Sequence, residues 1–257
     1  MIEFLDNFDT AIFLAVNGAH SPFFDSFMTM FTGRFTWIPM YAMVIWILFR
    51  SCRAKNAATY LVALVAAIAL TDQTCASVIR PAVERLRPSN IDNTLSQFTY
   101  IVDGYRGGSY GFPSCHAANS FALAVFISLF VRRRGFTLFI LSWALLNSYS
   151  RLYLGVHYPG DLLAGALVGS LFGLLCHRVA AILSRRGGHA DGLHARAKLK
   201  QLTPGASLRS LTPVDSTLLP ASASPSRGVL TATTGSGLMI AVFAATLAVI
   251  IIASALR

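Results

Sequence analysis

The sequence predicts an all-α protein, a polytopic membrane helix bundle with about six transmembrane helices and an N-terminal interfacial helix. Of its 257 residues, 54% are hydrophobic and only 12% are charged, about half the charged share of a soluble globular domain. The hydrophobic residues also form continuous blocks, most of them close to the ~20 residues that cross the hydrocarbon core of a bilayer. Both observations indicate a helical membrane protein.

Hydropathy divides the chain into six predicted spans and one interfacial segment. Five spans follow one another closely and the sixth lies near the C-terminus, at residues 35–49, 57–79, 117–131, 136–153, 162–179 and 238–256. Residues 4–31 are apolar but are interrupted by polar side chains and Pro22, so we expect an interfacial helix, with a full span as the alternative. Glu3, Asp6 and Asp9 differ from the basic start of a signal peptide, so the helices themselves are expected to drive insertion.

The segment between the fifth and sixth spans differs in composition from the rest. Residues 184–237 are rich in Ser, Thr, Pro, Gly and Ala and show no apolar periodicity, so they are predicted to form a disordered cytoplasmic tether. The predicted domains are a membrane-embedded domain at residues 1–183, this tether, and a C-terminal transmembrane helix at residues 238–257.

The distribution of basic residues predicts the orientation. Fourteen of the 21 Lys and Arg residues follow the first, third and fifth spans, among them Arg132, Arg133 and Arg134. The positive-inside rule makes that side cytoplasmic, so these arginines indicate topology and no nucleic-acid site. The chain is predicted to be a multi-pass protein of the bacterial inner (cytoplasmic) membrane, with its active site facing the periplasm.

A second group of arginines lies on the predicted outer side. Arg80, Arg85, Arg87 and Arg106 follow the second span, and Arg151 faces the same side. Guanidinium groups bind phosphate oxygens through two parallel hydrogen bonds. Positive charge concentrated on the outer face therefore predicts a site for a phosphate group.

Two further segments supply histidines on that side. Pro113, Ser114 and His116 precede an apolar run, so Ser114 is expected near a helix N-terminus that directs N–H groups at an anion. His157 precedes Asp161 by four positions, which lets the carboxylate hold one imidazole nitrogen and leaves the other free. The two histidines suit the roles of nucleophile and general acid.

These segments resemble the signature of the type-2 phosphatidic acid phosphatase superfamily, which also contains the vanadium haloperoxidases. That signature reads Lys-x6-Arg-Pro, Pro-Ser-Gly-His and Ser-Arg-x5-His-x3-Asp. The resemblance covers about residues 35–179, and the corresponding positions are Arg80, Arg87, Pro88, Pro113, Ser114, Cys115, His116, Ser150, Arg151, His157 and Asp161. Three ordered motifs with this spacing are specific, whereas any one alone is weak.

The resemblance implies a lipid phosphatase that works through a phosphohistidine intermediate. It implies that His157 attacks phosphorus, that Asp161 orients His157, and that His116 protonates the leaving oxygen. The residues implied to bind phosphate are Arg80, Arg87, Ser114, Cys115 through its N–H group, and Arg151. Such a site acts by electrostatic preorganisation around the developing charge. The resemblance implies no metal and no cofactor.

Two positions depart from the family pattern. Arg80 stands where Lys is usual, which keeps the positive charge but replaces a point charge by a planar fork. Cys115 stands where Gly is usual, and its N–H group stays available provided that its φ is negative. A cysteine phosphatase is the rival interpretation, since a helix start can activate a thiol. The Cys-x5-Arg spacing of that chemistry is absent, because Phe121 occupies the sixth position.

Some other polar residues admit more than one interpretation. Arg34, Arg85 and Arg106 are expected to contact lipid head groups or the surface rather than to take part in catalysis. Asp72 lies inside the second span, where a carboxylate is costly. It has either a functional role or a structural hydrogen bond between helices.

Two other classes of function compete with a phosphatase. A transporter would predict inverted repeats and paired broken helices, and the sequence shows neither. A catalytically inactive head-group binder is opposed by the intact set of His116, His157 and Asp161.

The loop between the first two motifs favours a sugar phosphate as the substrate. Residues 89–112 carry amides, tyrosines and an arginine, which suit the glucosamine phosphates of lipid A better than a bare glycerol phosphate. Mature lipid A first appears at the periplasmic leaflet, so lipid A is the predicted substrate. Undecaprenyl pyrophosphate and phosphatidylglycerol phosphate are the alternatives, because both present a phosphate at the same leaflet.

Overall fold

The computed structural model describes the backbone of residues 2–202 and 225–256, and the side chains of residues 6–185 and 237–256. The described chain is helical and contains no strand, which confirms the predicted all-α class. Its helices are α1 (Ile2–Asn17), α2 (Pro22–Phe31), α3 (Ile38–Ser51), α4 (Ala54–Gln73), α5 (Arg80–Val83), α6 (Cys115–Val131), α7 (Arg134–Tyr153), α8 (Pro159–Leu202) and α9 (Pro225–Ala255).

The predicted interfacial segment consists of two helices. Helix α1 ends at Asn17 and α2 begins at Pro22, where Ser21 caps it by accepting a hydrogen bond from the N–H group of Phe24. Asn17 is buried, and its side-chain amide donates to the carbonyl oxygens of Tyr100 and Tyr153, both at 2.9 Å. The break is therefore set by a capping residue and by long-range contacts, neither of which hydropathy detects.

Six helices correspond to the six predicted spans. Three of them have the length and composition to cross a bilayer, at Ala54–Val83, Pro159–Arg185 and Gly237–Ala255. The first includes α4, a π-helical turn at Thr74–Ile79 and α5. Helices α3 and α6 are apolar but shorter, and α7 has 20 residues with a polar, buried outer end.

Helices extend into both ends of the predicted tether. Helix α8 continues to Leu202 and α9 starts at Pro225, while residues 203–224 lie outside the described part of the chain. Helix α9 packs on α3, where the rings of Phe243 and Trp37 stack with centroids 5.1 Å apart. The division into domains stays a prediction.

The contact between α6 and α8 positions the N-terminal ends of both helices. Gly165, Gly169 and Gly173 lie four residues apart on α8, and a Cβ atom at any of them would collide with the backbone of α6. Small residues at this spacing let two membrane helices approach closely. At the N-terminal ends of the two helices, the N–H group of Ser114 donates to the carbonyl oxygen of Asp161 at 2.9 Å. Two of the sequence motifs therefore meet because three glycines line one helix face.

Candidate active site

A histidine and a carboxylate form the centre of the site. His157 lies in the turn between α7 and α8, and Asp161 lies in the first turn of α8. Both side chains are buried. The Nδ1 atom of His157 is 3.3 Å from Oδ2 of Asp161, which also accepts the N–H group of Tyr158 at 3.1 Å. An ionised Asp161 holds the imidazole proton on Nδ1, so Nε2 keeps its lone pair.

The surroundings keep this imidazole neutral. Burial lowers the pKa of His157 well below its ordinary value, and the positive charges of Arg87, Arg151 and Arg80 lower it further. A neutral imidazole with a fixed tautomer is the form that can act as a nucleophile. The Nε2 atom lies 2.9 Å from Nη1 of Arg87, so the lone pair points into the arginine cluster.

The charges of all three predicted arginines act on His157, and Arg87 is the one that contacts its Nε2 atom. The side chain of Arg87 donates to the carbonyl oxygens of Tyr110 and Val156, both at 3.1 Å. Burial, with the charges of Arg80 and Arg151, lowers its pKa to about 10, so it remains a cation at neutral pH. Like charges gathered in a buried site are costly unless an anion compensates them. A phosphoryl group has the charge and the acceptors that the cluster requires.

Two N–H donors of the arginine cluster lack a hydrogen-bond acceptor among the described residues. The Nε atoms of Arg80 and Arg151 are buried and have no hydrogen-bond partner among the described residues. Buried polar groups are normally satisfied, so these N–H groups fit the oxygens of a bound phosphate. The same guanidinium of Arg80 donates to the carbonyl oxygen of Pro113 and to Sγ of Cys115, both at 3.1 Å.

The start of α6 forms the opposite wall of the site. Ser114 caps the helix by accepting a hydrogen bond from the N–H group of Ala117, and His116 lies in the first turn. Cys115 is absent from the described residues with positive φ, and its thiol contacts Arg80. The departure from Gly is thus accommodated without strain, and the first N–H groups of the helix remain directed at an anion.

The structure therefore brings the eight predicted site residues into one cluster at one end of the bundle. They are Arg80, Arg87, Ser114, Cys115, His116, Arg151, His157 and Asp161. Their individual roles stay predictions. Asp72, by contrast, accepts a hydrogen bond from Asn119 at 3.1 Å, which links α4 to α6 and matches the structural alternative.

Arg85 is the residue that the motif pattern misses. The sequence predicts a surface contact for it, and this is wrong: its guanidinium lies 3.1 Å from Oδ1 of Asp161 and 2.7 Å from Oδ2 of Asp9. A usable signal is present in the sequence. Asp6 and Asp9 are two of only 11 acidic residues and lie on one face of a helix, three positions apart, where an unassigned arginine could pair with them.

Comparison with known proteins identifies the family. The profile of the PAP2 superfamily matches residues 56–184. A lipid A 4'-phosphatase of Bacteroides thetaiotaomicron is 52% identical over 186 residues, 72% of this chain and 83% of that protein. A lipid A 4'-phosphatase of Porphyromonas gingivalis is 33% identical over 69% of this chain and 75% of that protein.

A solved structure shows the same fold. The crystal structure of LpxE from Aquifex aeolicus superposes with a TM-score of 0.50 and 21% identity, over 66% of this chain and 94% of that one. The resemblance seen in the motifs is confirmed by the family profile, which matches residues 56–184. The chain belongs to the PAP2 superfamily and is a membrane phosphatase of that family.

Proposed function

We propose that the protein removes the 4'-phosphate of lipid A through a phosphohistidine intermediate. The substrate assignment rests on the similarity to a relative named lipid A 4'-phosphatase. The two proteins are 52% identical, and the match covers 83% of that relative's length. The observation that supports the chemistry is the buried His157–Asp161 pair, whose free nitrogen faces Arg87.

The first chemical step is transfer of the phosphoryl group to His157. Its Nε2 atom forms a bond to phosphorus while the bond between phosphorus and the sugar oxygen breaks. Protonated His116 gives its proton to that oxygen, and the negative charge of the bound phosphate favours the protonated imidazole beforehand. Arg80, Arg87 and Arg151 stabilise the charge on the three equatorial oxygens.

The second step returns the enzyme to its starting state. Neutral His116 takes a proton from a water molecule, whose oxygen attacks phosphorus as the bond to Nε2 breaks. The products are inorganic phosphate and neutral His157, and His116 is again protonated. One histidine thus serves as acid and then as base.

A cavity beside the site supports a lipid as the substrate. It encloses about 450 Å³ between α3, α4, α6 and α7, and His116 and Arg34 lie on its wall. Most of its remaining lining is apolar, including Trp37, Tyr41 and Leu64. A pocket of this size can hold part of an acyl chain while the phosphate lies at the arginine cluster.

The loop that suggested a sugar head group has a largely structural role. The amide of Asn93 donates to the carbonyl oxygen of Arg87 and to the hydroxyl of Tyr158, both at 3.0 Å. Arg106 donates to the carbonyl oxygen of Ser89 at 2.7 Å. These groups build the loop that holds Arg87, so the proposal of lipid A rests on the similarity to its relatives rather than on these side chains.

Purified protein is expected to prefer bisphosphorylated lipid A over other phosphorylated lipids. Three micellar substrates are compared at equal concentration: bisphosphorylated lipid A, undecaprenyl pyrophosphate and phosphatidylglycerol phosphate. Mass spectrometry should show the loss of one phosphate from lipid A, and fragmentation should place that loss at the 4' position. In cells, deletion of the gene should add one phosphate to lipid A.

A higher kcat/KM for either alternative, with unchanged lipid A in the deletion strain, would contradict the substrate assignment. The His157→Ala variant provides the control for contaminating phosphatases. Loss of the 1-phosphate instead would leave the class of substrate intact and contradict only the position.

We also propose that the protein lies in the bacterial inner membrane with its site facing the periplasm. The arginine cluster and the loop at Arg132–Arg134 lie at opposite ends of α6, a helix of 17 residues, which is about 25 Å long. Fourteen basic residues follow the spans on the side of that loop, which supports a cytoplasmic assignment for it.

Thiol labelling tests this orientation. Single cysteines are introduced by Ile91→Cys, at an exposed position of the outer loop, and by Gly135→Cys, where a Cβ meets no other atom. The background carries Ser at the four native cysteines. An impermeant maleimide should label Ile91→Cys in intact spheroplasts and Gly135→Cys only after permeabilisation. The reverse pattern would contradict the orientation.

A further inference from the structure

We propose that helix α1 is part of the catalytic apparatus, with Asp9 and Arg85 acting as positioning residues for Asp161. The inference rests on the proposed role of His157 as nucleophile. One guanidinium nitrogen of Arg85, Nη1, lies 3.1 Å from Oδ1 of Asp161 and 2.7 Å from Oδ2 of Asp9. The other carboxylate oxygen of Asp161 faces His157. Each oxygen of Asp161 therefore has a different partner.

Asp9 makes a second contact that supports the same role. Its Oδ1 atom accepts the N–H group of Gly160 at 2.7 Å, in the first turn of α8 and next to Asp161. A Cβ atom at Gly160 would lie 2.9 Å from Oδ2 of Asp9, closer than real contacts allow. A side chain at position 160 would therefore displace the carboxylate of Asp9 from this contact. Asp9 thus holds the start of α8 directly and Asp161 through Arg85.

Asp9 and Arg85 together form a clamp on Asp161, and the burial of Asp161 explains why it is needed. A fully buried carboxylate is costly unless a cation and hydrogen bonds compensate it. His157 cannot be that cation, because its burial and the neighbouring arginines lower its pKa and keep the imidazole neutral. Arg85 supplies the charge. Burial alone would lower the pKa of Arg85, but the carboxylates of Asp161, Asp9 and Asp6 outweigh it and raise that pKa.

The guanidinium also braces the segment that carries the nucleophile. Arg85 lies over the ring of Tyr158, with its central carbon 4.0 Å from the ring centroid, at a distance where a cation and an aromatic face attract. Tyr158 directly follows His157, and its N–H group donates to Asp161. Arg85 therefore contacts both the carboxylate of Asp161 and the turn that carries the imidazole of His157. Asp9 holds the guanidinium of Arg85 in place through its own ion pair.

The clamp predicts losses in kcat rather than in KM. Neither Asp9 nor Arg85 is expected to touch the phosphate, so substrate binding should change less than about 2-fold. Misorientation of a nucleophile by a fraction of an ångström lowers the rate steeply, so Asp9→Asn, Arg85→Gln and Gly160→Ala should each lower kcat about 10- to 100-fold. Asp6→Asn is the matched control: Asp6 contacts the same guanidinium at 2.8 Å but is 64% exposed, and exposed ion pairs contribute little.

The pH profile separates positioning from a merely structural effect. The acid limb of the profile reports protonation of His157, which is faced by Asp161, Arg87, Arg151 and Arg80. Arg85→Gln removes a nearby positive charge, which makes imidazolium easier to form, so the acid limb should move to higher pH. Asp9→Asn removes a negative charge, so the limb should move to lower pH. Shifts of about 0.3–0.5 unit in opposite directions are expected, and Arg85→Lys should leave the limb in place.

The experiment measures kcat, KM and the pH profile with 4-nitrophenyl phosphate, on full-length protein in detergent micelles, together with the Tm of each variant. This substrate does not depend on the lipid assignment, so failure of lipid A as substrate leaves the test intact. If the wild-type protein is active and Asp9→Asn and Arg85→Gln behave like Asp6→Asn, the positioning role is wrong. Shifts of the acid limb in the same direction, or a loss confined to KM or to Tm, would also contradict it.

Discussion

His157→Ala is expected to lose at least about 10⁴-fold in kcat, because a covalent nucleophile has no substitute in the site. His157 is the only histidine among the described residues whose imidazole contacts both a carboxylate and a site arginine. A radiolabelled phosphoenzyme, trapped by quenching in alkaline detergent, stable to alkali and hydrolysed by acid, should form in the wild-type protein and be absent in the variant. Phosphate release by purified protein measures the loss.

His177→Asn provides the matched control for this prediction. His177 is also buried, but it lies against the rings of Tyr60 and Phe126, at the other end of the bundle. Its replacement should change kcat less than about 3-fold and leave the phosphoenzyme intact. A phosphoenzyme that persists in His157→Ala would show that another residue is the nucleophile.

His116→Ala is expected to have an effect that depends on the leaving group. General acid catalysis contributes about 10²–10⁴-fold when the leaving oxygen is strongly basic, as in the sugar alcohol of lipid A. The loss with lipid A should therefore lie in that range. With 4-nitrophenyl phosphate the leaving oxygen needs little protonation, so the loss in kcat/KM, which reports formation of the phosphoenzyme and not its hydrolysis, should be below about 10-fold. Steady-state kinetics with both substrates give the two ratios.

Equal losses with the two substrates would contradict the role of His116 as the acid. The position of His116 supports the expected difference: it lies in the first turn of α6 and on the wall of the apolar cavity. It is therefore at the boundary between the phosphate site and the place proposed for the lipid. Rapid quenching should further show that His116→Ala slows dephosphorylation of His157, since the same imidazole acts as the base for water.

The sequence alone determines the parts of this protein that depend on local spacing. The bilayer requires long apolar segments, so the spans are visible in hydropathy and correspond to helices α3, α4, α6, α7, α8 and α9. The pair of His157 and Asp161 is visible because a turn followed by one helical turn brings positions i and i+4 together. The capping role of Ser114 is equally local.

Features that depend on docking between distant segments are decided only by the tertiary structure. Arg85 pairs with Asp161 across 76 positions, and Asp9 reaches Gly160 across 151 positions. No periodicity encodes such contacts, because they arise when α1 packs against α7 and α8. The break after Asn17 has the same origin, since this side chain satisfies the backbone of Tyr100 and Tyr153.

The polar loop at residues 89–112 shows the limit of composition as a guide to function. Its amides and Arg106 resemble a sugar-binding set, but buried backbone carbonyls must be satisfied wherever a loop folds over a site. Asn93 and Arg106 meet that requirement for Arg87 and Ser89. The amino-acid sequence thus specifies the helices, the pair of His157 and Asp161, and the arginines. Tertiary packing decides which charged side chains support the site and which polar ones only build its loop, because a hydrogen bond depends on where its partner lies in space.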